Sequence, residues 1–290
     1  MTAVRVPATS ANLGAGFDAF GVALSLHLTA QLVPRGELRV STTGEGEGEV
    51  ATGDDNLVWR SLVLACERFG AAVPDASIAV DSAVPLERGL GSSSAAIVAG
   101  VALARSVSPT RVADADLVRL AAEIEGHPDN VAAAVLGGVV VVAVDDAGEL
   151  VLRRAQPHPR LRPVAFIARG RQATSAARAV LPDSLSREDA ATDVARGAHV
   201  LAALVGVWPA DPRLSGDRLH EPPRLAAAPD TAALLASLRD RGVHAWLSGA
   251  GPSVLAAVPT RDATPDDAAT SGVDVRPLTW DRAGVVIIRP

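Results

Sequence analysis

A glycine-bracketed turn, Pro85-Leu-Glu-Arg-Gly89-Leu-Gly91-Ser92-Ser93-Ser94-Ala95, runs directly into the apolar, alanine-rich stretch Ala95–Ala104. No other feature constrains the fold as much. Gly89 and Gly91 can adopt backbone dihedrals closed to other residues and leave no side chain between the peptide and whatever approaches it. Ala95 onward has high helix propensity, and the first turn of a helix presents unpaired N–H groups at the positive end of a dipole. Together they form an anion site, and the turn is expected to face phosphate. The same residues also suit a plain N-cap in which Ser92 or Ser93 satisfies backbone donors. A Walker loop would end in Gly-Lys-Ser/Thr, and a dinucleotide fingerprint would add a third glycine and an acidic residue about 20 positions on; neither pattern fits.

Two other segments use the same small residues. Pro7-Ala-Thr9-Ser10-Ala11-Asn12-Leu13-Gly14-Ala15-Gly16-Phe17-Asp18 follows a short strand predicted over Ala3–Val6 and reads as a polar loop with two glycines. Leu247-Ser248-Gly249-Ala250-Gly251-Pro252-Ser253-Val254 reads as a turn between strands predicted over 245–247 and 254–258. Each could approach a charged ligand closely.

The chain has 290 residues, 48% of them apolar, enough for one large or two modest domains with a sizeable core. Its single cysteine, Cys66, cannot form an internal disulfide, and Met1–Ser10 lacks the basic-then-apolar pattern of a signal peptide. A cytoplasmic protein is the simplest expectation. Runs such as Val139–Val144 are far shorter than the roughly 20 residues a membrane span needs, so no membrane role is expected. The net charge of −6, with scattered basic residues, argues against nucleic acid as a partner. All 27 basic residues are Arg, so no lysine can reach a phosphate here.

Short apolar runs at 29–33, 37–41 and 77–80 predict strands, and Asn56–Phe69 a helix. Gly44-Glu-Gly-Glu-Gly-Glu49 reads as a solvated hairpin tip rather than a metal site. Leu117, Leu120, Ala121 and Ile124 recur at helical spacing behind Asp114 and Asp116 as caps, placing Glu123 and Glu125 near the helix end. Carboxylates there oppose the dipole, so at least one of them is expected to have a compensating partner. Pro157, Pro159 and Pro163 mark a boundary between domains over 1–155 and 156–290. Beyond it, a strand over 164–168, helices over 174–180, 187–205 and 231–239, and strands over 243–247 and 254–258 suit an α+β layer. The tail over 259–290 carries no motif.

In order and placement, Pro-Ala-Thr-Ser-Ala-Asn-Leu-Gly, Gly-Leu-Gly-Ser-Ser-Ser-Ala and Ser-Gly-Ala-Gly-Pro-Ser resemble the three motifs of the GHMP small-molecule kinase superfamily. Within it, Glu125-Gly-His127-Pro-Asp129-Asn130-Val131, Ala177-Arg178-Ala-Val-Leu-Pro182 and Leu219-His-Glu-Pro-Pro-Arg224 are most similar to the homoserine kinase family. The resemblance spans residues 3 to about 258. It implies an α+β fold with an S5-like, left-handed βαβ N-terminal domain for ATP and a ferredoxin-like C-terminal domain for substrate.

It also implies roles. Pro85, Arg88, Gly89, Leu90, Gly91, Ser92, Ser93, Ser94 and Ala95 would wrap the ATP phosphates, and Ser92 or Ser93 with Glu125 would hold Mg²⁺. For L-homoserine, Asp18 would accept from the ammonium, Arg178 and Arg224 would hold the carboxylate, and Asn12, His127 and Asn130 would orient the chain and hydroxyl. Thr174 would lie near that hydroxyl. Other GHMP kinases are described with an aspartate base and homoserine kinases commonly without one, which leaves Asp129 as either base or structural element. Homodimers are frequent among homoserine kinases, but no stripe of residues marks such a surface here. Gly14-Ala15-Gly16 replaces the common Gly-Pro-Gly, Ala133-Ala134 replaces Ala-Pro, and Asp193 stands where Asn is typical. These departures bear on substrate fit and leave the phosphate and metal groups intact. A kinase for another small alcohol, or a non-catalytic binder, would share this fold; the charge pattern of Asp18, Arg178 and Arg224 favours an amino acid.

Overall fold

The computed structural model describes residues 2–268 and 272–289. In chain order the first layer contains β1 (Ala3–Asn12), β2 (Gly16–Pro34), β3 (Val40–Gly44), α1 (Leu57–Phe69), β4 (Ala76–Ser82), α2 (Ser92–Val107), α3 (Asp114–Glu125), α4 (Asp129–Leu136), β5 (Val139–Val144) and β6 (Leu150–Ala155). The second contains β7 (Leu161–Ala168), α5 (Thr174–Ala179), α6 (Arg187–Leu204), α7 (Glu221–Ala226), α8 (Pro229–Asp240), β8 (His244–Leu247), β9 (Val254–Pro259) and β10 (Val273–Pro277). The chain ends on β11 (Val286–Ile288). No helix is long and apolar enough to cross a membrane among the described residues.

The first sheet runs β11-β1-β2-β4-β3, with β5 and β6 branching from the start of β2. β2 is long because it serves two partners: Phe20–Val22 pairs with β5, and Leu28–Pro34 pairs with β4. The second sheet runs β10-β7-β9-β8, so β9 lies between the parallel strands β7 and β8, the order of a ferredoxin-like layer. The expected α+β architecture of two sheets is present. The change of sheet falls between Ala155 and Leu161, and Pro163 stands inside β7 rather than in the linker, near the strand start where a missing N–H is tolerated.

Several readings change with the structure. Residues 7–12 are strand, not loop: β1 continues through Thr9, Ser10 and Asn12, all buried. The helix after the glycine turn starts at Ser92 rather than Ala95. The tail without a motif is structural: β10 pairs with β7, β11 pairs with β1, and between them Trp280 donates to Leu161 O (2.7 Å) while Asp281 Oδ2 meets His27 Nε2 (2.8 Å). The tail therefore ties the two sheets together.

Local chemistry explains the helices. Asn56 caps α1 by accepting from Val58 N, and Gly70 ends it in the left-handed conformation. Asp114 and Asp116 lie in the first turn of α3, with Asp116 accepting from Ala113 N, so they follow the cap rather than form it. In α2 every residue from Ile97 to Ala104 is buried, as expected of a helix apolar on all sides.

α2 reaches α1 through Gly100. A Cβ there would sit 2.3 Å from Val58 O and 2.8 Å from Leu62 N, so two helix backbones touch at this point. Helix propensity would favour Ala over Gly by about 1 kcal/mol at most, whereas overpacking typically costs about 1–3 kcal/mol. Because the opposing atoms are backbone, the clash should win. Gly100→Ala is expected to lower the urea midpoint by the equivalent of about 1–2 kcal/mol with an unchanged m-value; a stabilised variant would show that the helices do not touch there.

Candidate active site

Three segments distant in sequence converge at the C-terminal end of β1. The Ser10 and Ser248 hydroxyl oxygens lie 2.8 Å apart, Trp246 Nε1 donates to Ser10 Oγ (3.1 Å), and Ser248 Oγ donates to Gly89 O (2.6 Å). A Cβ on Gly89 would fall 2.1 Å from Ser248 O, which is why a glycine with φ 73° is needed. Next to it Thr9 Oγ1 donates to Asn130 Oδ1 (2.7 Å), and a Cβ on Gly91 would lie 2.0 Å from that Thr9 oxygen. Asn12 Nδ2 donates to Gly249 O (3.0 Å). Together these contacts form one cavity wall.

The anion end is the N-terminus of α2. Gly91 is its N-cap, left-handed and without a side-chain hydrogen bond, and the first paired N–H is that of Ala95, to Gly91 O. The N–H groups of Ser92, Ser93 and Ser94 have no partner among the described residues. Neither Ser92 nor Ser93 acts as a cap. Ser93 Oγ (2.6 Å) and Ser94 Oγ (2.9 Å) instead donate to Glu125 Oε1, so it is Ser94, not Ser92, that joins Ser93 beside this carboxylate. Glu123 points to the surface and pairs with Arg68, whereas the Glu125 side chain is 7% exposed, with His127 Nε2 3.7 Å from its Oε1.

Four residues expected to touch phosphate do not line the cavity. Pro85, Leu90 and Ala95 are buried in the core, Leu90 offering only its carbonyl to Thr9 N. Arg88 is turned away, its Nε donating to Ala168 O (2.9 Å) and Nη2 to Arg169 O (3.3 Å). It braces the glycine turn against the second layer.

Opposite the helix end stand the remaining residues. Arg178 holds Asp18 with two hydrogen bonds (2.7 and 3.0 Å), so two groups expected to bind opposite ends of a ligand are paired with each other. Arg224 is buried: Nε donates to Ala177 O and Nη1 to Gly249 O. Burial lowers the His220 pKa to about 4, so its neutral ring donates through Nε2 to Gly14 O (2.9 Å) and accepts at Nδ1 from Arg224. The Phe17 ring lies 5.6 Å from both the Arg178 and Arg224 guanidinium carbons. Asn12, His127, Asp129, Asn130 and the exposed Thr174 all line the cavity. Gln172 and Glu87 line it too, joined by Gln172 N to Glu87 O (2.9 Å). Their sequence surroundings gave no signal, because that contact forms only when the two layers meet.

Asp129 Oδ1 is heavily engaged: it accepts from Asn130 N (2.7 Å) and meets His127 Nδ1 (2.8 Å). Asn130 in turn spends its amide on Thr9 and Asp129. Among the described residues no group of three or more His, Cys, Asp or Glu side chains could hold a metal by itself. The Ser93, Ser94 and Glu125 oxygens nevertheless form a compact, hard donor set suited to Mg²⁺, with phosphate oxygens needed to complete it.

Known proteins resemble this chain in sequence and fold. The family model described as GHMP kinases N terminal domain matches residues 56–138. A homoserine kinase of Clavibacter michiganensis is 42% identical over 87% of this chain and 81% of its own length. One from Moorella thermoacetica is 38% identical over 88% and 87%. The crystal structure of homoserine kinase from Cytophaga hutchinsonii superposes with a TM-score of 0.82 at 25% identity, covering 99% of this chain and 97% of that one.

The His127 contacts have a pH signature. Burial alone would lower its pKa, but the Asp129 hydrogen bond and the charges of Asp129 and Glu125 outweigh that and raise it above 6.5. A raised folded pKa means that protonated His127 stabilises the fold; this contribution is fully present below about pH 6.5 and is lost as pH rises through the folded value. In Asp129→Asn, burial should dominate and His127 should titrate at lower pH than in the parent, read from imidazole NMR shifts. An unchanged titration would mean that the Asp129 contact is absent in solution.

Proposed function

This chain belongs to the homoserine kinase family of the GHMP kinases, and from that premise we propose that it transfers the γ-phosphoryl group of ATP to the side-chain hydroxyl of L-homoserine, giving O-phospho-L-homoserine and ADP. One observation carries the reading. The unpaired N–H groups of Ser92–Ser94 and the Glu125 carboxylate share a single cavity with Asp18, Arg178 and Arg224.

On this reading the first layer takes the nucleotide and the second contributes the carboxylate clamp. A second cavity of about 440 Å³, lined by apolar groups including Leu28, Val58 and Val80, meets the first at Glu87, Ser92 and Ser93. The purine and ribose would occupy it, with the phosphates threading past the serines onto the helix end. Ser93, Ser94 and Glu125 would hold Mg²⁺, which when bound neutralises phosphate charge. With no lysine in the chain, backbone amides and that cation must carry the triphosphate.

The amino acid would displace the Asp18–Arg178 pairing, its ammonium going to Asp18 and its carboxylate to Arg178 and Arg224. Asn12, His127 and Thr174 would orient the chain and hydroxyl, while Asn130 fixes the wall behind them. The hydroxyl oxygen then forms a bond to the γ-phosphorus as the bond to the β,γ-bridging oxygen breaks, and its proton passes to a phosphoryl oxygen. A loose transition state needs little prior deprotonation. Asp129 has a positioning role here, because its Oδ1 is already committed to Asn130 and His127.

Two measurements test this reading. In a coupled ADP-release assay over a panel of small alcohols, homoserine should be preferred; preference for an alcohol without an ammonium group would overturn the assignment. Glu125→Gln should lower kcat on the order of a hundredfold, as loss of one charge-stabilising group does, and Asp129→Asn by less. An Asp129→Asn variant that binds homoserine normally but has no turnover would make Asp129 the base.

A further inference from the structure

Away from the catalytic cavity, a cleft of about 900 Å³ opens where β8 and β9 pass the C-terminal end of α6. That volume lies within the ~300–1,000 Å³ usual for small-molecule pockets. His244 of β8 lines it, only 3% exposed, and neither of its ring nitrogens has a hydrogen-bond partner. Burial lowers its pKa to about 4, so the ring is neutral and offers one donor and one acceptor, both unmet. Buried polar groups are satisfied with few exceptions, and leaving them unmet is costly.

The rest of the lining is specific. Trp208, on the loop after α6, is 47% exposed, whereas Trp59, Trp246 and Trp280 are buried. It is held in place, with His199 stacked on it at 6.2 Å and 18° and its Nε1 donating to His199 O. Of the three arginines on the rim, Arg241 is paired with Asp267 and Arg261 lies 3.6 Å from Asp262. The exposed Arg160 side chain makes no hydrogen bond or ion pair among the described residues. His158 accepts at Nδ1 from Arg160 N, which leaves its Nε2–H free to donate.

We propose that this cleft is a second ligand site, separate from the kinase cavity, for a small planar heteroaromatic anion whose ring stacks on Trp208, whose ring edge hydrogen-bonds His244 and whose acid group faces Arg160. Each element of the lining answers one part of such a molecule. A non-aromatic acid would leave the indole face uncovered, and a neutral arene would leave Arg160 without a partner.

The test uses the full chain saturated with homoserine and a nonhydrolysable ATP analogue, with indole-3-carboxylate as probe. Saturable binding is expected, quenching Trp208 fluorescence and shifting the His244 ring ¹⁵N resonances. Indole and cyclohexanecarboxylate should each bind at least about tenfold more weakly, a difference of roughly 1.4 kcal/mol. Trp208→Ala and Arg160→Ala, both at surface positions, should each weaken the probe by a similar factor and leave homoserine-dependent ADP release unchanged. Absence of saturable binding, meaning a cleft that holds water only, would overturn the proposal. So would displacement of the probe by homoserine, equal affinity for the three probes, or undiminished binding in Trp208→Ala. Failure of the kinase reading would appear instead as absent ADP release, with probe binding intact.

Discussion

Two buried serine hydroxyls hold the site together. Ser248 has one proton and gives it to Gly89 O, which can only accept, so Ser10 supplies the proton between the two hydroxyls while its own oxygen accepts from Trp246. This chain of three bonds joins β1, the glycine turn before α2 and the turn after β8. Each bond contributes about 1 kcal/mol net, yet removing one partner strands a buried donor or acceptor at a cost of roughly 1–3 kcal/mol. The segments are thus mutually obligatory. Gly89 is required because any side chain would push Ser248 out of the chain, and the tail separately links the two sheets by pairing with a strand of each.

Strain collects where the wall must turn toward ligand. Among the described residues the non-glycine positions with positive φ are Asn12, Leu13, Asp18 and Glu87, and three of the four line the catalytic cavity. Such conformations persist only where surrounding contacts over-determine them. At Asn12 they do: its amide donates to Gly249 O and its oxygen accepts from Asp18 N, so one side chain sets both its own backbone and that of Asp18.

Parts of this were legible in the sequence because they are local. A glycine that must be left-handed, an alanine-rich helix and the helix that follows Asn56 declare themselves within a few residues. Thr9, Ser10 and Asn12 did not, since polar residues in a row suggest solvent, and their burial depends on partners 121, 238 and 237 positions away. The exchange of Ser94 for Ser92 beside Glu125 has the same origin. Spacing put three hydroxyls at a helix start, but only the angle between α2 and α3 decides which two of them meet the carboxylate. Arg88 sits inside the motif by sequence, yet the carbonyls of the opposing layer turn its side chain away.

If the proposed function holds, the Asp18–Arg178 pair sets the electrostatics of substrate entry. In the structure each charge neutralises the other across the mouth of the cavity. A ligand with a carboxylate alone could satisfy Arg178 only by stranding Asp18 in a cavity also lined by Asp129 and Glu125, whose charges already act on Arg178. A zwitterion gives each group a new partner of the same sign as the one it loses, so no uncompensated charge is left in a partly buried site. Because an uncompensated charge in such a place costs far more than an exposed ion pair contributes, the pair would, on the proposed reading, act as a filter that opens to an amino acid and resists a simple acid or a neutral alcohol of the same size.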